Sequence, residues 1–156
     1  MPLFPTYDAD AHFFSREDAL NPLGTFSRHA FFLDEKEWPS VEHYYQAMKF
    51  DDAQYSERVR TAGHPKKARR LGRNRLKKRR ADWHSLKQVV MTRAVYTKCR
   101  THEEVAEALL ALGEVTLVEN SSYDYYWGCG RDRRGDNHYG KVLMDVRSKL
   151  REEAGQ

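Results

Sequence analysis

Glu42, Gln46 and Lys49 fall at i, i+4 and i+7 in the segment Trp38–Phe50. A helix turns about 100° per residue, so these three side chains share one face. That face carries a carboxylate, an amide and an amine. The stripe beside it, Val41, Tyr44 or Tyr45, and Met48, can pack against a core. Ser40 can N-cap the helix, and Pro39 keeps the chain before it extended. A polar triplet flanked by Tyr, Met and Phe is partly desolvated, a setting in which acids and bases acquire shifted pKa values. The plain alternative is a surface helix whose Glu42 and Lys49 form a wet ion pair worth under about 1 kcal/mol.

A second stretch joins the first. Tyr125-Tyr126-Trp127-Gly128-Cys129-Gly130, followed by Gly135-Asp136-Asn137-His138-Tyr139-Gly140-Lys141, reads as an aromatic, glycine-rich loop that opens a helix. Pro39 to Ala47 with Lys49-Phe50, Ala68 to Arg73, Asp82-Trp83, Tyr126-Trp127-Gly128, and Asn137 to Gly140 occur in an order that resembles the NADAR (NAD and ADP-ribose) or YbiA-like family. The likeness runs from about Phe13 to Leu150. It implies a single YbiA-like domain of α+β class, mainly α. It also implies an N-glycosidase that hydrolyses a ribose C1–N bond on an exocyclic amine. The substrates implied are phosphorylated ribosylamines of the riboflavin pathway, or ADP-ribosylated guanine.

Two mechanisms suit such a substrate. In one, the bond breaks through an oxocarbenium-like state that Glu42 stabilises, or Glu42 takes a proton from water. In the other, the ribosylamine opens to an imine, Lys49 attacks C1 and forms a Schiff base, and Glu42 shuttles protons. Glu42 and Lys49 are thus the candidate catalytic residues, with Gln46, Tyr45 and Arg73 beside them as substrate-binding candidates. Trp127 is a candidate wall for a planar base, and Trp83 is either another wall or core packing. Gly128 permits close backbone approach to a sugar or phosphate. Asn137 either fixes a sugar hydroxyl or holds the loop. The family often has Asp where Cys129 stands, so Asp132 and Asp136 are considered as substitute carboxylates. Phe26-Ser27-Arg28-His29-Ala30 resembles the family's Phe-Ser-Asn-Phe-Ala with two positions changed.

The charge pattern offers a different class of function. Residues 66–80 hold ten of the 27 Lys and Arg and no acid, whereas all 23 Asp and Glu lie elsewhere. An acidic body therefore carries one basic patch, whose density suits contact with nucleic-acid phosphates. The patch lacks interleaved aromatics, which argues against sequence-tolerant single-strand binding. The histidines lack metal-ligand spacing and no Cys-x-x-Cys occurs, so no metal is expected; no Gly-rich nucleotide fingerprint follows a strand, and no cofactor is expected. Two cysteines, no long apolar run and no signal-peptide pattern suggest a cytoplasmic protein without membrane contact.

The elements that must position these residues follow from periodicity. Residues 1–10 read as loosely ordered, and 11–152 as one domain of ordinary size. Ala11–Ser15 and His29–Leu33 read as short strands, and Asp34–Glu37 as a turn. Helices are expected over 51–62, over Lys66–Arg73, and from an Asp82 N-cap through Trp83 to about Arg100. Trp83, Leu86, Val90, Ala94 and Val95 are the buried stripe of the last of these. Residues 74–81 are too basic to pack on themselves. Thr101-x-x-Glu104 reads as a capping box for a helix that Gly113 ends. Val115–Val118 reads as a strand, 120–137 as a long functional loop, and Tyr139, Val142, Leu143, Val146 and Leu150 as one face of a C-terminal helix.

Overall fold

The structure, a computed structural model, describes residues 6–155. Of the segment expected to be loosely ordered, residues 1–5 lie outside the described residues. Residues 6–10 form no helix or strand, although Tyr7 packs edge-on against Phe13. The elements in order are β1 (His12–Phe14), β2 (Phe31–Leu33), β3 (Lys36–Trp38), α1 (Val41–Ala47), α2 (Ala53–Arg60), α3 (Pro65–Gly72), α4 (Trp83–Thr101), α5 (Glu103–Leu110), β4 (Leu117–Glu119) and α6 (His138–Ala154). The class is α+β, mainly α, as the sequence implied.

Capping chemistry starts α1 where it was expected. Ser40 Oγ accepts the His43 amide at 3.2 Å, and the buried His43 ring links Ser40 Oγ at 2.7 Å to the Ala62 carbonyl at 2.8 Å. The helix is buried on every side and packs against α2, α3 and α4. So its polar face does not look into bulk water. The apolar stripes of α4, α5 and α6 meet around Val90, Ala94, Val95, Leu109, Leu143 and Val146, each nearly or fully buried, with Met48 and Leu86 packed on the edge.

Four local expectations change. Residues 34–37 are more than a turn, because β3 pairs antiparallel with β2 in the register Phe31↔Trp38. The two-residue connection needs φ of 53° at Asp34 and 65° at Glu35. Neither is glycine, so the hairpin is not announced by the usual dipeptides. Tertiary partners hold Asp34 there: the Tyr44 hydroxyl at 2.6 Å and Arg93 Nη2 at 2.8 Å. Asp82 stands at the N-cap of α4 but does not cap with its side chain, which instead accepts Arg80 Nε at 2.6 Å. The capping box fails because Thr101 belongs to α4 and donates to Thr97 O; His102 takes the N-cap position of α5. The fourth strand lies slightly later than expected and ends on Glu119.

That last shift matters for the site. β4 pairs parallel with β1, placing Phe14 opposite Glu119. The ends of both strands thereby bring Arg16 beside the start of the 120–137 loop. No helix among the described residues is long and apolar enough to cross a membrane.

Leu109 is fully buried in the common core. Leu109→Ala is expected to cost on the order of 2–5 kcal/mol, read from chemical denaturation. An unchanged midpoint would remove this residue from the core.

Candidate active site

The polar face of α1 opens into a cleft. Glu42, Tyr45 and Gln46 line it from α1, and Lys49 from the turn that follows, because the helix expected to reach Lys49 ends at Ala47 with Met48 as its C-cap; Arg69 and Arg73 line it from α3 and its cap, Met91 from α4, and Asp124 and Trp127 from the 120–137 loop. Arg16 completes the wall. Six of the ten site residues expected from sequence therefore converge: Glu42, Lys49, Gln46, Tyr45, Arg73 and Trp127.

Glu42 is 2% exposed. Its Oε1 accepts Arg69 Nε at 2.8 Å and Gln46 Nε2 at 2.8 Å, and its Oε2 accepts Arg69 Nη2 at 3.3 Å. Burial alone would raise this carboxyl's pKa. The adjacent Arg69 charge and these hydrogen bonds override burial and hold it down to about 2. The wet Glu42–Lys49 ion pair is thus replaced by a buried pair with Arg69. Arg69 also donates to Glu17, whose carboxylate accepts the Tyr123 hydroxyl as well. Gly72 is required by this packing: a Cβ there would lie 2.0 Å from Gln46 Oε1.

Lys49 is 5% exposed. Its Nζ points toward the Gly72 carbonyl at 3.4 Å and lies 5.4 Å from the centre of the Tyr45 ring. Burial lowers the amine's pKa to about 7; Arg79, Arg73 and Arg69 push the same way, against the opposing pull of Glu42. The conflict between desolvation and the carboxylate, open in the sequence, is resolved in favour of desolvation. Burial and the three arginines together outweigh the carboxylate.

Tyr45 meets Trp127 edge-on with ring centres 5.5 Å apart, and Trp127 Nε1 donates to the Tyr45 hydroxyl at 3.1 Å. Trp127 is accordingly a wall of the cleft. Trp83 packs behind Tyr45 at 5.1 Å and does not line the cleft, so it is core packing.

Three further residues named from the sequence lie away from the cleft. Asn137 holds the loop: its Oδ1 accepts the Glu119 amide at 2.9 Å and its Nδ2 donates to Leu117 O at 2.9 Å. Neither end faces the cleft. Gly128 makes its close approach to protein, since a Cβ there would lie 2.5 Å from Glu119 Oε2. Asp132 lies outside the cleft and accepts the Arg134 amide at 3.1 Å.

The carboxylate that the loop supplies is Asp124. Its Oδ1 accepts the amides of Tyr126 at 2.9 Å and Trp127 at 2.8 Å, and its Oδ2 accepts Arg16 Nη2 at 2.6 Å. Burial raises its pKa, but Arg16 and the two amides prevail and lower it. An aspartate two residues before an amide it binds is an Asx turn, and that local pattern could have flagged it. Arg16 has no such signal: its partners Glu119 at 3.0 Å and Asp124 are more than a hundred positions away. Arg69 was hidden among ten similar cations.

The cleft therefore presents a buried amine whose pKa is lowered to about 7, a carboxylate held at about 2, and an aromatic wall. Among the described residues, no group of three His, Cys, Asp or Glu side chains is placed to hold a metal ion. Cys129 is buried, with Sγ 3.4 Å from Gly130 O, and does not line the cleft.

Because Glu42 is depressed from 4.5 to about 2, it adds stability above pH 4.5 that is lost as pH falls toward 2. The stability gap between the parent and Glu42→Gln should shrink across that window in denaturation at stepped pH. A gap that stays constant would contradict the buried ion pair.

Comparison with known proteins places this geometry in context. A family model described as NADAR domain matches residues 9–151. The N-glycosidase YbiA of Shigella boydii serotype 4 is 39% identical over 143 residues, covering 92% of this chain and 89% of that protein. The riboflavin biosynthesis protein VVA0006 of Vibrio vulnificus is 43% identical over 117 residues, covering 75% of this chain and 32% of that longer protein. Among solved structures, the NMR structure of the E. coli protein YbiA matches with a TM-score of 0.84 at 34% identity, over 100% of this chain and 96% of that one.

Proposed function

The chain belongs to the NADAR domain family, and from that premise we propose that it is an N-glycosidase acting on a ribose joined to an exocyclic amine. The observation that carries the reading is the Lys49 amine, buried beside Tyr45 and brought to a pKa of about 7. At neutral pH roughly half of such amines are uncharged and able to attack.

The reaction begins with the ribosylamine opened to its imine. Neutral Lys49 Nζ attacks C1 and forms a C–N bond, giving a carbon that bears two amines. A proton moves from the Lys49 nitrogen to the other nitrogen, whose bond to C1 then breaks. The freed base leaves as an amine, and Lys49 holds the pentose as a Schiff base. Water adds to C1, the lysine C–N bond breaks, and the free aldehyde sugar departs with the amine regenerated. Cationic iminium forms precede both bond cleavages. Glu42, held to about 2, is a poor proton carrier and a permanent counter-charge. The reading thus moves Glu42 from proton shuttle to electrostatic stabiliser, with Trp127 set to stack on the leaving base.

A riboflavin-pathway ribosylamine phosphate fits this chemistry, and the Vibrio relative's name points the same way. ADP-ribosylated guanine carries the same kind of bond. A second reading, in which the ribosylated base sits in a nucleic-acid strand, draws on the exposed cations between Arg73 and Arg79. It requires that activity on an oligonucleotide fall steeply with salt, which a small substrate would not show. The buried, unpaired Cys99 and Cys129 suit a reducing cytoplasmic setting.

The test is chemical trapping. Borohydride added during turnover should leave a pentose adduct on Lys49, found by mass spectrometry. Lys49→Arg should be inactive, because a guanidinium keeps its charge. Glu42→Gln should slow turnover at least about a hundredfold, because it removes the counter-charge to the cationic intermediates. In the parent, the rate should rise with pH through about 7 as Lys49 deprotonates. An active Lys49→Arg protein without an adduct would leave direct hydrolysis through an oxocarbenium-like state as the better account.

A further inference from the structure

Lys98 is a buried cation that the reaction does not use. It lies in the last turn of α4, is 1% exposed and does not line the cleft. Its Nζ donates to the Gly24 carbonyl at 2.9 Å and to Ser27 Oγ at 2.9 Å. No carboxylate among the described residues pairs with it. Burial lowers its pKa to about 8, so at pH 7 it remains mostly an ammonium. A charge held there without a counter-ion works against folding. Methionine would fill the same space without that cost. What methionine could not supply is the pair of hydrogen bonds.

Those bonds hold the turn 24–27 at both of its ends. Gly24 is seated on the backbone after β1, where a Cβ would lie 2.7 Å from Arg16 O. The two residues between the clamped ends touch three charged groups of the cleft. Thr25 O accepts the Glu42 amide at 3.0 Å, and the Thr25 hydroxyl bonds the Glu42 carboxylate and helps to keep it ionised. Phe26 N donates to Arg16 O at 3.3 Å. The Phe26 ring centre lies 4.6 Å from the Arg69 guanidinium. A turn with no helix or strand of its own thus backs Glu42, Arg16 and Arg69, and Lys98 fastens it to α4.

We propose that Lys98 is a positioning residue: by clamping the Gly24–Ser27 turn it holds the Glu42 carboxylate where the cationic intermediates form. The kinetic part rests on the glycosidase reading, in which Glu42 is the counter-charge; the hold on Glu42 does not. A carboxylate that drifts by about 1 Å loses much of its effect on a transition state while substrate still binds. Lys98 therefore acts on kcat rather than on KM. It acts through Thr25, whose hydroxyl reaches the Glu42 carboxylate only while the turn keeps its place.

The test compares Lys98→Met with Leu109→Ala, a core variant remote from the turn. Lys98→Met keeps the length of the side chain and removes the buried charge, so it should fold. With a ribosylaminopyrimidine phosphate its kcat should fall at least about tenfold, with KM changed less than about twofold. The Glu42 carboxyl, followed by NMR as pH is lowered, should protonate about half a pH unit or more above the parent's. Leu109→Ala should lose stability but leave kcat and the Glu42 titration as in the parent. Parent-like kcat and Glu42 titration in folded Lys98→Met would overturn the proposal. The same Glu42 shift in Leu109→Ala would also overturn it, since any weakened core would then suffice. If Lys98→Met does not fold, Ser27→Ala decides: it leaves Lys98 on Gly24 O alone and should shift Glu42 the same way by less, and no shift would sink the proposal. A Glu42 shift in Lys98→Met without base release from any ribosylamine by the parent would count against the glycosidase reading and leave the hold on Glu42 standing.

Discussion

The buried pair between Glu42 and Arg69 is the constraint on which the rest of the site depends. A carboxylate taken fully out of water costs several kcal/mol unless a cation and hydrogen bonds compensate it. Glu42 receives both, from Arg69 and from Gln46. The pair welds α1 to α3, and through Glu17 it reaches back to the segment after β1. Gly72 lets the two helices approach closely enough for the contact.

The same pair sets the chemistry of Lys49. A nearby carboxylate would ordinarily keep a lysine protonated. Here the carboxylate is matched to another cation, and Arg69, Arg73 and Arg79 add their own repulsion. Desolvation and these cations then outweigh the pull of Glu42 on the amine. The outcome is a division of labour: one group stays ionised and the other is poised to lose its charge near neutrality.

A second buried carboxylate organises the opposite wall. Glu119 ends β4 and accepts from the Arg16 amide at 3.1 Å, the Arg16 guanidinium at 3.0 Å, the Ser121 amide at 3.0 Å and the Ser121 hydroxyl at 2.7 Å. Arg16 carries the linkage on to Asp124, which fixes the amides of Tyr126 and Trp127. Thus Trp127 faces Tyr45 because a chain of charged hydrogen bonds, seated on the β1–β4 pair, leaves its loop little freedom. Asn137 and Gly128 serve this scaffold.

The sequence by itself determined the helices, the class, and the shared face of Glu42 and Gln46, because helical periodicity is a local property that fixes which residues share a face; Lys49 joins them from the turn beyond the helix. It also marked Trp127, through its place among aromatics and glycines. It did not reveal Arg16, Asp124 or the distinct position of Arg69, and it left Trp83 and Asn137 with two readings each. Nor could it assign the Lys49 pKa. Those outcomes rest on which charges become neighbours after burial, across separations of 27 residues for Glu42 and Arg69 and 108 for Arg16 and Asp124. Only the tertiary structure decided them, because the cost of burying a charge and the choice of its partner are settled together when the elements pack.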